Sequence, residues 1–398
     1  MSDTDDLFIR EDPVFVNKEL LEINHLPDEG RIVGRDAEIS QLANAVNPAI
    51  FGQSPSNVLI YGKTGTGKSL CAKYVSGRLI DTAEEEGVTT DFAYVDCAQD
   101  STETQAVQTI ASSLNRPDTT DINIPDKGIA TATYYKRLWS ILDECYDVVL
   151  IILDEIDKLD NDDILMQLSR AGEAGKLTNC KIGVIGISNK IKYKDRMDER
   201  VKSSLCEREF VFPPYDAAQL GDIMAARSDA FRDGVLADSV IPRAAALAAR
   251  EHGDARKAID ILRYAGEIAQ STGADIVQEE FVVQARQRAE TDRFRELIRG
   301  STPHARYVLQ ALTLLSLNEG DDEAFRTTRI YELYEQVCRQ EGSESLSLRR
   351  VRDLLKEHAF LDVIEQSRHS GGSAEGSYTE HRLLEDPEVV QSVLMDTE

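Results

Sequence analysis

Short apolar runs separated by longer mixed stretches dominate the first half of the chain. "NVLIYG" (57–62), "DFAYVDC" (91–97), "VVLIILDE" (148–155), "KIGVIGIS" (181–188) and "REFVF" (208–212) read as strands. Their apolar residues follow one another without alternation, the mark of strands buried on both faces of a parallel sheet. The stretches between them are helix-like, so the pattern predicts an α/β domain with helices on both faces of the sheet. At "FPPYDAAQL" (212–220) the pattern changes. Pro213 and Pro214 halt the last strand, and Asp216 is placed to cap a helix. From there to about Gln287 the chain reads as helices only, a compact α-helical second domain.

"RGSTPHARY" (299–307) opens the last hundred residues with a turn signal. Helices are predicted near 304–317, 325–340 and 347–358, followed by two strand-like segments around a Gly/Ser turn. Three helices and a hairpin outline a winged helix. The predicted boundaries are an N-terminal extension (1–30), an α/β base (31–213), an α-helical lid (214–290) and a winged-helix domain (291–398).

Composition narrows the setting. The 41% of aliphatic and aromatic residues suits a globular protein, and no unbroken apolar run exceeds the length of Val148–Leu153, too short to span a bilayer. The first residues are acidic, without the basic-then-apolar order of a signal peptide, so a cytoplasmic, nucleoid-associated location without membrane attachment is expected. Six scattered cysteines form no C-x-x-C pair and read as reduced, buried thiols. Asp plus Glu total 71 against 45 Lys plus Arg, a net charge of −26, and arginine outnumbers lysine by about two to one. That sign opposes the usual footprint of a nucleic-acid binder. In molar salt, however, the Debye length is only about 3 Å and net charge stops deciding partners. Acid spread along the whole chain favours a protein of a salt-loaded cytoplasm.

The chemistry begins at "GKTGTGKS" (62–69), a complete G-x-x-x-x-G-K-[ST] loop between a strand and a helix. Gly62, Gly65 and Gly67 let backbone N–H groups turn toward phosphates, flanked by Lys63, Thr64, Thr66 and Leu70. Lys68 is expected on the β- and γ-phosphates of ATP or ADP and the Ser69 hydroxyl on Mg2+. The helix that starts there adds its positive end. "IILDEID" supplies Asp154 for the Mg2+ shell and Glu155 as the base or water-orienting carboxylate, a pair that favours hydrolysis of ATP over transfer. Asn189 ends the next strand, where it reaches an attacking water or acts as an ordinary turn former. Arg256 in "HGDARKAIDIL" stands at a helix start, able to sense the γ-phosphate or to lie on a solvated surface.

These pieces, in this order, resemble the AAA+ ATPases. With "DERVKSSL", "FVFPPYDAAQL" and "GDARKAIDILRYAGEIA", the chain from about Ile32 onward resembles a narrower family. It is the archaeal single-chain relatives of the first origin-recognition-complex subunit and of cell division control protein six. The resemblance implies an AAA+ base, a lid and a winged helix. It makes Asn189 sensor 1 and Arg256 sensor 2, and it gives Arg200 an in-trans role on a neighbour's ATP. "DER" stands here where the family usually has "DPR". It also places Val33, Gly34, Arg35 and Tyr215 by the nucleotide. A helical insertion that touches DNA is expected within 115–138, where Lys127 is the lone basic residue between Arg116 and Lys136.

The helix "SLSLRRVRDLLKEH" (345–358) reads without any family. Leu348, Val351, Leu354 and Leu355 recur at helical spacing and should face a core. Arg349, Arg350, Arg352 and Lys356 then face outward, suited to guanine edges in a major groove. Arg368 and His369 would reach a phosphate or the minor groove from the wing. The resemblance implies an ATP-regulated replication initiator that binds double-stranded origin DNA, recruits the minichromosome-maintenance helicase and meets paralogous initiators or itself on DNA. The alternatives are a paralogous transcription or plasmid regulator and a clamp-loader-like subunit.

Overall fold

The computed structural model describes residues 12–22, 31–250, 253–320, 323–361, 363–370 and 377–395. The chain divides into two compact units, Met1–Val282 and Val283–Glu398.

The first unit is built on a five-stranded parallel sheet of order β2-β3-β4-β1-β5. The strands are β1 (Val58–Tyr61), β2 (Thr90–Asp96), β3 (Val148–Asp154), β4 (Lys181–Ser188) and β5 (Arg208–Val211). All seven residues of β3 are buried. The reason is visible in how they alternate. Val149, Ile151 and Leu153 pack with α3 (Glu103–Leu114), α5 (Thr131–Cys145), α6 (Asp163–Ser169) and α7 (Glu199–Leu205) on one face. Val148, Leu150 and Ile152 pack with α1 (Asp36–Val46) and α2 (Lys68–Glu85) on the other. A strand covered on both sides has no polar position to spare. The region expected to hold the DNA-touching insertion contains a one-turn helix, α4 (Pro117–Thr120), and irregular chain up to α5. Half of it is helical, four residues in α4 and eight in the start of α5, and α4 itself buries no side chain.

Beyond β5 come α8 (Ala217–Ala225), α9 (Val240–Arg250), α10 (Ala255–Thr272) and α11 (Glu279–Arg299). Asp216 caps α8 in a reciprocal capping box with Gln219, as its position suggested. Residues 12–22 pack on these helices, which the sequence did not foretell. The Phe15 ring lies 4.9 Å from that of Phe231, and Lys18 pairs with Glu267 at 2.8 Å. Gly266 makes room for Phe15: a methyl group there would lie 2.4 Å from the ring. No helix among the described residues is long and apolar enough to cross a membrane.

The boundary between the units falls within α11. The second unit contains α12 (Pro303–Glu319), α13 (Thr327–Gln340), α14 (Leu348–Phe360) and the hairpin β7 (Ile364–Ser370) and β8 (Ser377–Leu383). Two elements were not expected. Phe325 and Arg326 form a short strand, β6, against β8, so the second of the three helix-like stretches begins two residues later than its pattern implied. A last helix, α15 (Pro387–Met395), buries Val390 and Val393. Val351 and Leu355 join the core and Leu348 and Leu354 are half-buried, as the spacing required. The Gly/Ser turn of the wing lies outside the described residues.

Candidate functional site

The C-terminal ends of β1, β2, β3 and β4 open into a cleft of about 380 Å³ whose other wall comes from α8 and α10. This is where parallel α/β sheets gather ligands, since helix N-termini and strand ends converge there. The loop after β1 takes left-handed turns at Gly65 (φ 71°) and Gly67 (φ 85°), which a side chain would strain. Thr64 to Leu70 line the cleft, and α2 begins at Lys68. Gly62 and Lys63 do not line it. Gly62 is small for a different reason from the one expected: a methyl group there would sit 2.5 Å from the Phe212 carbonyl oxygen.

Lys68 is 5% exposed and donates to the carbonyls of Gly62 (2.8 Å) and Lys63 (2.7 Å). Burial pulls its ammonium down to about 8, against partial opposition from the Asp154 charge. The Asp154 carboxylate accepts the Glu155 N–H on one oxygen and the Tyr94 hydroxyl on the other, both at 2.9 Å. Glu155 holds a left-handed backbone (φ 53°) that is strained for a non-glycine residue and turns its side chain into the cleft. Burial raises its carboxyl above the usual range, and the charges of Asp154 and Asp96 add to this. Asn189 donates to Glu155 Oε1 at 3.0 Å. The two residues read separately from two strands are therefore one hydrogen-bonded pair.

Asp157 was not singled out from the sequence, yet it fixes that pair. Its carboxylate accepts from Ser188 Oγ (2.9 Å), the Asn189 N–H (3.2 Å) and Lys190 Nζ (3.0 Å). Burial pushes the Asp157 carboxyl up, but these donors outweigh it and hold it low. Tyr94 and Lys73 also went unnoticed, the Lys73 ammonium lying 3.4 Å from the Tyr94 ring centre. Their signal is the register of β2 on β3, which sets Asp96 opposite Asp154 and brings Tyr94 within reach of it.

The lid meets the phosphate loop directly. Asp254 caps α10 by accepting from the Arg256 and Lys257 N–H groups, and its carboxylate lies over Gly65, where a methyl group would come within 1.8 Å. The Ala255 N–H donates to Gly65 O at 3.0 Å. Arg256, in the same turn, lines the cleft. The lining also includes the apolar Ile32, Val33 and Ile223, together with Tyr215, whose N–H donates to Gly253 O at 3.1 Å and whose hydroxyl stands over Gly67.

Gly34 and Arg35, expected beside the nucleotide, do not line the cleft. Arg35 is 1% exposed and braces the loop from behind. It donates to Thr66 O (3.0 Å), Pro213 O (2.5 Å) and Glu38 (2.9 Å), with its guanidinium 3.8 Å from the Tyr215 ring centre. A charge with three acceptors and an aromatic face is fully used. Arg200 stands exposed on α7, outside the residues lining this cleft.

In the second unit Arg349, Arg350, Arg352 and Lys356 are all exposed on α14, with Lys356 paired to Asp353 at 2.9 Å. Arg368 and His369 are exposed on β7, and His369 stacks on Tyr378 and contacts Glu380 at 3.2 Å. Lys127 is exposed in the irregular chain before α5.

Sheet order, phosphate loop, lid and winged helix define a AAA+ P-loop protein with an appended DNA-binding-type fold. Residues 31–178 match the AAA ATPase domain, 221–287 the Cdc6 AAA+ ATPase-type lid domain and 296–393 the CDC6 C-terminal winged helix domain. The chain is 54% identical over 392 residues to ORC1-type DNA replication protein 4 of Halobacterium salinarum, covering 98% of this chain and 95% of that one. It is 49% identical to ORC1-type DNA replication protein 9 of Haloarcula marismortui, over 95% of this chain and 90% of the relative. Among solved structures, the Aeropyrum pernix ORC1 protein in complex with DNA matches with a TM-score of 0.85 and 36% identity, covering 97% of this chain and 98% of that one. The chain belongs to the ORC1-type DNA replication proteins.

Proposed function

We propose that this chain is an ATP-controlled initiator of DNA replication, binding double-stranded origin DNA and recruiting the minichromosome-maintenance helicase. The observation that carries the reading is the joint between loop and lid, where Ala255 bonds to Gly65 and Asp254 covers it. Arg256 belongs to the same turn, so the end of a phosphate chain and the lid are read together. A triphosphate and a diphosphate differ at that end, and a ligand shifts a conformation only by such a difference.

Asp154 and Ser69 offer hard oxygen donors beside the loop, a set that fits Mg2+ shared with phosphates. When bound, that ion would neutralise charge between the β- and γ-phosphates. Glu155, with its raised carboxyl held by Asn189, is the residue to orient and deprotonate the attacking water. Arg200 would act on the ATP of a second copy or a paralogous initiator. Turnover is expected to be slow, with hydrolysis resetting a switch. The exposed arginines of α14 supply the groove-facing side chains, in keeping with the DNA named for the Aeropyrum relative.

Lys68→Ala tests the switch. It should abolish ATP binding and with it nucleotide-dependent complexes on DNA. Unchanged DNA complexes and helicase recruitment would sink the model. A second reading, a paralogue that regulates other loci, is favoured by one observation: Haloarcula marismortui holds at least two such relatives, numbered 9 and 17. Genome-wide mapping of bound sites separates the two, since an initiator concentrates at origins and a regulator at promoters.

A further inference from the structure

Arg227 takes no part in the chemistry above, yet it lines the same cleft. It follows α8 and is 6% exposed. Its Nη1 donates to Ile223 O at 2.9 Å, one turn back in α8. No carboxylate among the described residues pairs with it. The carboxylate two residues on, Asp229, is taken by Arg31, which grips both its oxygens at 2.8 and 2.6 Å and also bonds to Ala226 O at 2.7 Å. Arg31 therefore adds a second positive charge instead of relieving the first. Burial, and then Arg31, push the Arg227 guanidinium down from its ordinary range. It nevertheless stays charged, as arginine does in proteins. A buried guanidinium with one carbonyl acceptor and no carboxylate among the described residues is costly, and its remaining N–H groups are open to a further acceptor.

Its place in the cleft says what. Lys68 is bonded to the Gly62 and Lys63 carbonyls of the phosphate loop, whereas Arg227 is bonded to Ile223 O, beside the Arg31 that holds Ala226 O and Asp229. The two cations are thus held by different parts of the cleft wall. Beside Arg227 the lining includes the apolar Ile32, Val33 and Ile223, with Tyr215, and at its rim Glu22 and the Arg31 already engaged with Asp229. Such a lining fits a flat heterocycle with a hydrogen-bond acceptor on its edge.

We propose that Arg227 is a specificity-determining residue for the nucleotide base: its remaining N–H groups donate to a ring-edge nitrogen of adenine. This rests on the nucleotide reading above and deepens it. The open N–H groups are kept at a cost to the free protein because the bound base accepts a hydrogen bond from them. Two consequences follow from position. ATP and ADP share the base, so Arg227 serves both equally, unlike Arg256 at the phosphate end. Replacing Arg227 by an apolar chain of similar length removes a buried charge and should not harm the nucleotide-free fold.

The test uses the full chain in molar KCl, with equilibrium binding of ATP, ADP and the 1-, 3- and 7-deaza analogues of ATP, each lacking one ring acceptor. For the wild type, one analogue should bind at least about tenfold more weakly than ATP, the size of a hydrogen bond to a charged group. In Arg227→Met that discrimination should vanish, ATP and ADP should weaken by the same factor, and the nucleotide-free melting temperature should match or exceed the wild type's. Arg227→Lys, which keeps the charge and loses the fork, should also lose the discrimination and serves if the Met variant does not fold. Full wild-type discrimination in either variant overturns the proposal, as does loss of ATP binding with ADP binding intact. Failure of the wild type to bind ATP would remove the underlying reading. Normal ATP binding with no penalty on any analogue leaves that reading standing and removes the role of Arg227.

Discussion

Lys68 shows how one residue ties burial to ligand affinity. Its ammonium is held down to about 8 by burial, and phosphate oxygens would favour the charged form and raise it again. Binding above about pH 8 must therefore take up a proton. Affinity for ATP is expected to be level below that pH and to fall as pH rises through it, measured by titration at constant KCl from pH 7 to 10. A flat profile would mean that Lys68 stays charged without nucleotide. Tyr94 offers a second test at this scale. Its hydroxyl holds one oxygen of Asp154 while the Glu155 N–H holds the other. Tyr94→Phe should leave ADP binding without Mg2+ unchanged, raise the Mg2+ needed for half-maximal binding several-fold and alter stability by about 1 kcal/mol or less. The phosphate-loop residues were legible because a contiguous pattern encodes them. Arg35 was misplaced because a residue beside a cleft in sequence can point behind it, and only Thr66, Pro213 and Tyr215 reveal which way it points.

Among the elements, α10 connects packing to control. Its first turn is capped by Asp254, which also covers Gly65. Asp254→Ala removes the cap and should cost about 1 kcal/mol, read as a lowered melting temperature. If the joint transmits the nucleotide state, the same variant should also narrow the difference between ATP and ADP in DNA binding. A melting change alone would reduce Asp254 to a cap. The strands were legible because burial on both faces leaves an unbroken apolar run, and α14 because its core residues recur at helical spacing. β6 was not, since two residues carry no period, and its pairing partner lies over fifty residues further on. The packing of residues 12–22 on the lid was hidden for a similar reason: Phe15 and Gly266 are meaningful only together.

At the scale of the molecule, a net charge of −26 sets the terms for any contact with DNA. Binding that rests on counterion release falls steeply with salt. The exposed cations of α14 are few, and Lys356 already has Asp353 as a neighbour. A shallow dependence is expected, with a log–log slope of about 3 or less in magnitude, as for about three neutralised phosphates. Affinity measured across KCl concentrations decides this, and a slope near that of a many-contact repressor would contradict it. Arg349→Ala and Arg352→Ala should lower specific binding far more than non-specific binding, because base-edge contacts carry the specificity.

The sequence by itself determined what is local or periodic: the phosphate loop, the acidic pair at the end of β3, the buried sheet, the Asp216 cap and the arginine-bearing helix. Each depends on neighbours within a few residues, on an unbroken apolar run or on a repeat of 3.6. The tertiary structure alone decided which side chains meet. It paired Asn189 with Glu155, set Asp157 and Tyr94 behind them, and brought Asp254 onto Gly65. It also left Arg227 buried with no counter-charge among the described residues while Arg31 held Asp229. Such contacts join residues distant in the chain, whose distances and burial exist only once the sheet and lid have packed.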